Sequence, residues 1–227
     1  TTPEDYALTT TSITFPAGAN DGALQNIDVA IVSDGISEPT HDFSLGFGTV
    51  TGAATASGAH VVSILDDDIP GITVTESGGS TAVAEGGATD SYTITLGSEP
   101  SAPVDIALTF DPAQLVLNGD SDGVLTVTLN SGNYNTGVTV TVVAVDDTLV
   151  ETNPHTSLIV QTASSADPIY NVINPADVTV SITENDFAEI VLEGATSTVA
   201  ETDGQVNLTA RLNLISNGTP GGTLTGA

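Results

Sequence analysis

Apolar and polar residues alternate in short runs along this chain, and no stretch sustains the spacing of a helix. The runs fall at 27–32, 43–47, 61–65, 72–74, 92–96, 104–110, 124–129, 138–145, 156–162, 178–182, 190–192 and 206–212. A period of two sends alternate side chains to one face of an extended strand. Glycine, proline, asparagine and aspartate separate the runs, as in Pro16-Ala17-Gly18, Gly78-Gly79 and Asn118-Gly119-Asp120. Short strands at this spacing, divided by turn residues, predict an all-β sandwich.

The pattern also repeats. Val62-Ser63-Ile64-Leu65-Asp66-Asp67-Asp68 and Val180-Ser181-Ile182-Thr183-Glu184-Asn185-Asp186 each end a strand in an acidic cluster. Each is followed by a short apolar strand and then Val-Ala-Glu, at Val83-Ala84-Glu85 and Val199-Ala200-Glu201. These markers set one complete unit at 70–187, of 118 residues. The remainders, 1–69 and 188–227, together have about the length of one more unit. Residues 188–227 read as the opening strands of a unit and 1–69 as its remaining strands. The expectation is therefore tandem β-sandwiches, one complete and one split between the two chain ends. Residues 223–227 followed by 1–6 would read as continuous sequence. Neither fragment alone can bury its apolar face, and incomplete sandwiches leave strand edges open to further pairing. The ends are expected to meet within the chain, between chains, or along a tandem array.

Charge narrows the function classes. Twenty-nine acidic residues face a single basic one, Arg211, for a net charge of -28. That balance excludes nucleic acid and anionic membrane as partners. It also creates self-repulsion that salt bridges cannot relieve and divalent cations can. A merely hydrated acidic surface is the other reading of the same composition. Cysteine is absent, which removes disulfides and thiolate chemistry. No apolar run approaches the roughly 20 residues of a membrane span, and no signal peptide is visible. Starting at Thr1 without methionine, the chain is expected to be a processed product or a fragment.

The ordered motifs carry a resemblance. Asp5-Tyr6, Ile13-Thr14-Phe15-Pro16-Ala17-Gly18, Ser33-Asp34-Gly35-Ile36-Ser37-Glu38, Phe43-Ser44-Leu45 and the terminal Asp66-Asp67-Asp68 follow one another in the first unit. Val143-Ala144-Val145-Asp146-Asp147-Thr148-Leu149-Val150-Glu151 and Ile182-Thr183-Glu184-Asn185-Asp186 do so in the central one, which has no Asp-Tyr counterpart. In this order the sequence resembles Calx-β domains, known from sodium–calcium exchangers, integrin β4 and bacterial surface adhesins. The resemblance implies a seven-stranded Greek-key, immunoglobulin-like sandwich with Ca2+ at one pole. Its implied ligands in the central unit are Glu85, Asp146, Asp147, Glu151, Glu184 and Asp186. In the split unit they are Asp5, Asp34, Glu38, Asp66, Asp67 and Asp68, with Glu201 from the other fragment. The residues themselves agree, since loops and strand ends of an antiparallel sandwich can share a pole, and Asp147 and Glu151 lie four apart across a turn. His41 and His155 read as hydrogen-bonding residues, because zinc takes three or four N/S-type ligands.

Catalysis finds no support: there is no nucleophile turn, no phosphate-cradling glycine loop and no cysteine. The expected role is an extracellular, cell-surface structural repeat or filament subunit. Ca2+ would stiffen it, and copies of itself would be its partners, as a head-to-tail homopolymer or as tandem repeats. The alternatives are a ligand-binding adhesin module and a spacer attached to a secreted enzyme.

Overall fold

Residues 5–52, 55–193 and 207–215 are described by the computed structural model. They fall in two units, Thr1–Pro70 and Gly71–Ala227. Among the described residues, no helix is long and apolar enough to cross a membrane.

In the first unit β1 (Tyr6–Leu8) pairs antiparallel with β2 (Val29–Ile31), and β3 (His41–Gly46) with β4 (Ala59–Ile64). The two pairs remain separate two-stranded sheets. Among this unit's described residues Phe43 is the buried apolar side chain, stacked on Tyr6 with ring centroids 3.8 Å apart. Phe15, Leu24, Ile27, Ile31, Val61 and Leu65 stay exposed. Burying such side chains is worth about 1.5–3 kcal/mol each, a stabilisation these exposed residues do not gain among the described residues. The Ile13-Thr14-Phe15 part of the motif forms no strand.

Gly71–Ala227 contains a closed sandwich. One sheet runs β5 (Ile72–Glu76), β7 (Asp90–Leu96), β11 (Val138–Ala144), β9 (Leu115–Leu117). The other runs β10 (Val124–Leu129), β8 (Val104–Thr109), β12 (His155–Ser165), β13 (Val178–Thr183), β6 (Thr81–Ala84). The chain changes sheets between β5 and β6 through a tight turn at Ser77–Gly79, where Gly78 and Gly79 take φ of 67° and 89°. Positive φ at consecutive positions is a conformation glycine adopts without a Cβ clash. Alternate residues of both sheets, among them Ile94, Ile106, Leu108, Val140, Ile159 and Ile182, meet in one core. The Tyr170 hydroxyl, also buried, donates to Ser98 O at 2.7 Å and accepts from Ser98 N–H at 3.0 Å.

Beyond the sandwich, β14 (Phe187–Glu193) and β15 (Thr209–Ile215) form a two-stranded sheet. Among the described residues neither pairs with another strand. Of the expected run at 206–212, Val206 lies outside the described residues, and the strand spans Thr209–Ile215. Three strands escape the pattern altogether: β1, β6 and β9, of three or four residues, fall in none of the alternating runs.

Candidate cation-binding poles

One parallel pairing builds the acidic pole of the sandwich. β6 and β13 run side by side with Thr81 opposite Val180 and Ala84 opposite Thr183. Both strands therefore end together, and the residues just past them, Glu85 and Glu184, become neighbours. β12 is antiparallel to β13 with His155 opposite Ile182, so its beginning lies at the same end. Glu85, Glu184 and Asp186 are 5%, 6% and 5% exposed. One carboxylate oxygen from each lies within 4.8 Å of the others.

Three buried carboxylates cannot all be charged without compensation. Glu184 finds partial relief from backbone: its Oε2 accepts from Glu151 N–H at 3.1 Å, and its Oε1 from Asn185 and Asp186 N–H at 2.9 and 2.7 Å. Glu85 finds less, and its buried Oε2 accepts no hydrogen bond. Burial, then its hydrogen bond and charge contact with Glu184, pushes the Glu85 carboxyl up to about 7. Burial acts the same way on Glu184, but the Asp186 N–H, the Glu85 side chain and the Glu151 and Asn185 N–H groups outweigh it and lower its pKa. The single basic residue, Arg211, sits instead 3.4 Å from Glu193 on β14.

A pH dependence follows. The folded state keeps the Glu85 proton up to about pH 7, whereas the unfolded chain releases it near 4.5. Folding therefore binds protons in that window, and stability falls as pH rises through it. The lowered Glu184 works oppositely, adding stability above its unfolded pKa that is lost as pH falls through the folded one. In a chelator, the melting temperature of the sandwich is expected to drop from pH 5 to pH 7.5, and Glu85→Gln to flatten that slope. Identical slopes in both proteins, measured by circular dichroism melts, would assign the effect to overall charge instead.

The other implied ligands surround this triad. Glu151 and His155 form a second cluster with the shared Glu184. His155 Nε2 lies 3.1 Å from Glu151 Oε2 and also contacts Gln114 Oε1, while Gln114 Nε2 donates to Glu151 Oε1 at 3.0 Å. Asp146 Oδ1 accepts from Asn185 Nδ2 at 3.0 Å. Asp147 Oδ1 accepts from Leu149 N–H at 2.6 Å within its own turn, yet its charge is felt at Glu85.

The first unit repeats the arrangement in a more open form. Asp5, Glu38 and His41 place ligand atoms within 4.8 Å of one another. His41 Nδ1 lies 2.7 Å from Asp5 Oδ2. Asp66 Oδ2 accepts from Glu38 N–H at 3.0 Å, as Glu184 does from Glu151 N–H. Asp34 Oδ1 caps its turn at Ile36 N–H, 2.8 Å away. Together with Asp67 and Asp68 these side chains line a cavity of about 330 Å³. Burial and then the Asp66 charge raise the Asp68 carboxyl; burial and then Asp5 raise that of Glu38. The hydrogen bond that the His41 ring donates to Asp5 raises the imidazole. Glu201 lies outside the described residues.

One participant, Gln114, was not legible as such, and His41 and His155 were read only as hydrogen-bonding residues. His41 stands opposite Ile64 and His155 opposite Ile182, the same place in the two units. Gln114 precedes β9 as Asp5 precedes β1, and each contacts its histidine. The signal was available in the paired spacing of His41 and His155, whereas a glutamine without an Asp-Tyr motif offered none.

No family model matches the chain, and no curated protein matches it. Among solved structures, it is similar to a crystal structure of the apo form of a Calx CBD1 domain. Identity is 12% and the TM-score 0.34, over 50% of this chain and 96% of that domain. The all-β assignment stands on the strand pairings of the chain itself.

Proposed function

We propose that this chain is an extracellular structural repeat of Calx-β type, stiffened by Ca2+ at its acidic poles and working alongside further copies of itself. The observation that carries this reading is the buried triad Glu85, Glu184 and Asp186, with Glu85 Oε2 left without a hydrogen bond. A divalent cation supplies what is missing there. Ca2+ takes six to eight oxygen ligands at about 2.3–2.6 Å and accepts irregular carboxylate geometry. The triad would hold it, with Glu151, Asp146 and Asp147 close by. In the first unit Asp5, Asp34, Glu38 and Asp66–Asp68 would play the same part. Asp68 is two residues from Pro70, where the first unit ends, so an ion there would restrain the connecting segment. The metal's contribution is charge neutralisation and rigidity.

The test is thermal. Ligand binding to the folded state alone adds RT ln(1 + [L]/Kd), about 2.7 kcal/mol at a hundredfold excess over Kd. Millimolar CaCl2 is expected to raise the melting temperature by several degrees over EGTA, with saturable heat in titration calorimetry. A melting temperature unchanged between the two conditions would remove calcium from the account.

A further inference from the structure

The chain carries its own template for what belongs on the β14–β15 hairpin. In the closed sandwich, β5 and β7 pair with Ile72 opposite Leu96 and Val74 opposite Ile94. In the hairpin, Ile190 stands opposite Leu212 and Leu192 opposite Ala210. The hairpin is thus a second copy of the β5–β7 pair in the same register. In the sandwich, the other edge of β7 pairs with β11, and β11 with β9. The first unit holds the matching two strands: β2 pairs with β1 through Val29–Leu8 and Ile31–Tyr6, as β11 pairs with β9 through Val142–Leu117 and Ala144–Leu115. Tyr92 and Leu96 are 1% and 4% exposed, whereas Leu208 and Leu212, at the equivalent places, are 56% and 62% exposed. Both halves of one sheet are present, each without its complement among the described residues.

We propose that the free edge of β15 pairs with β2 of a second copy of this chain, building a sheet β14-β15-β2-β1 that reproduces β5-β7-β11-β9. This deepens the reading of the chain as a self-associating repeat by naming the faces that meet. The register follows from the template: Tyr92 lies opposite Val140, so Leu208 lies opposite Ile27 of the second copy. Chain direction favours a second copy over the same one. β5 runs antiparallel to β7, so the chain enters the sandwich at Ile72, away from the acidic pole, and leaves it at Asp186 on that pole. A hairpin leaving there reaches a following copy without doubling back. Such a heterologous contact propagates into a filament unless its rotation closes a ring.

The absence of native cysteine makes the test clean. Full-length chain carrying Ile27→Cys and Leu208→Cys is oxidised and run on a non-reducing gel. A ladder of covalent multimers is expected; a cross-linked monomer, or no cross-link, overturns the proposal. In parallel, Leu212→Asp blocks the hairpin and Ile27→Asp blocks the first unit. By sedimentation each variant alone is expected to fall to monomer, and their mixture to form a dimer from the one intact hairpin and the one intact acceptor. Failure of the mixture to dimerise also overturns it. Both assays are run with Glu85→Gln as well, so that loss of calcium binding without loss of assembly separates this inference from the metal reading.

Discussion

Glu184→Ala is expected to abolish calcium binding at the buried pole and to loosen the loops around it even without metal. The Glu184 carboxylate gathers the N–H groups of Glu151, Asn185 and Asp186 at 3.1, 2.9 and 2.7 Å while standing in both ligand clusters. An alanine leaves those donors without their acceptor, at a cost of about 1–3 kcal/mol for each that stays buried. A stability loss of about 3 kcal/mol in urea titrations with EGTA is the expected result. Calcium affinity should fall on the order of a hundredfold or more, since even groups that only support a ligand are worth 10–100-fold. Glu184→Gln separates the two roles. Its amide oxygen still accepts from Asn185 and Asp186, so stability recovers in large part while calorimetry still shows weakened binding. Full calcium affinity in Glu184→Ala would place the ion elsewhere.

The second large effect lies at the opening of β11. Gly137→Ala is expected to cost about 2–5 kcal/mol, combining a non-glycine residue at positive φ with overpacking. Gly137 has φ of 78°, and a Cβ there would sit 2.5 Å from Ile94 O and 2.7 and 2.8 Å from the Thr95 and Thr93 Cγ2 atoms. The carbonyl cannot retreat freely, because Ile94 pairs with Val138 in the β7–β11 ladder. Gly119→Ala serves as the comparison: its φ is 84°, but nothing lies within 4 Å of the added carbon. It should lose only about 1 kcal/mol, the lower end for a strained backbone position. Equal losses in denaturant melts would mean that backbone conformation, not the clash, governs both sites.

How much could be read in advance differs from element to element. β8, β10 and β11 were legible to within a residue or so, because alternation over six or seven positions records which side chains face inward. β6 was legible only as a motif, Val83-Ala84-Glu85, and β9 not at all, because, unlike the equally short β2 inside the 27–32 run, neither sits in a longer alternating run. The acidic strand ends announced charged poles, since carboxylates with almost no basic partners are visible in composition alone.

What the amino-acid order determined by itself was the local part: extended segments, their inward faces, the repeated unit, and the acids that close each repeat. Only the tertiary structure decided which acids are buried together. Glu85 and Glu184 are 99 positions apart in sequence and become neighbours because the chain switches sheets at Gly78-Gly79 and lays β6 parallel to β13. Alternation sets where a side chain points, but pairing partners come from contacts distant in the chain. Burial, and with it the raised Glu85 carboxyl, depends on those partners. For the same reason Gln114 entered the pole unannounced: its chemistry is unremarkable until β9 sets it against His155 and Glu151.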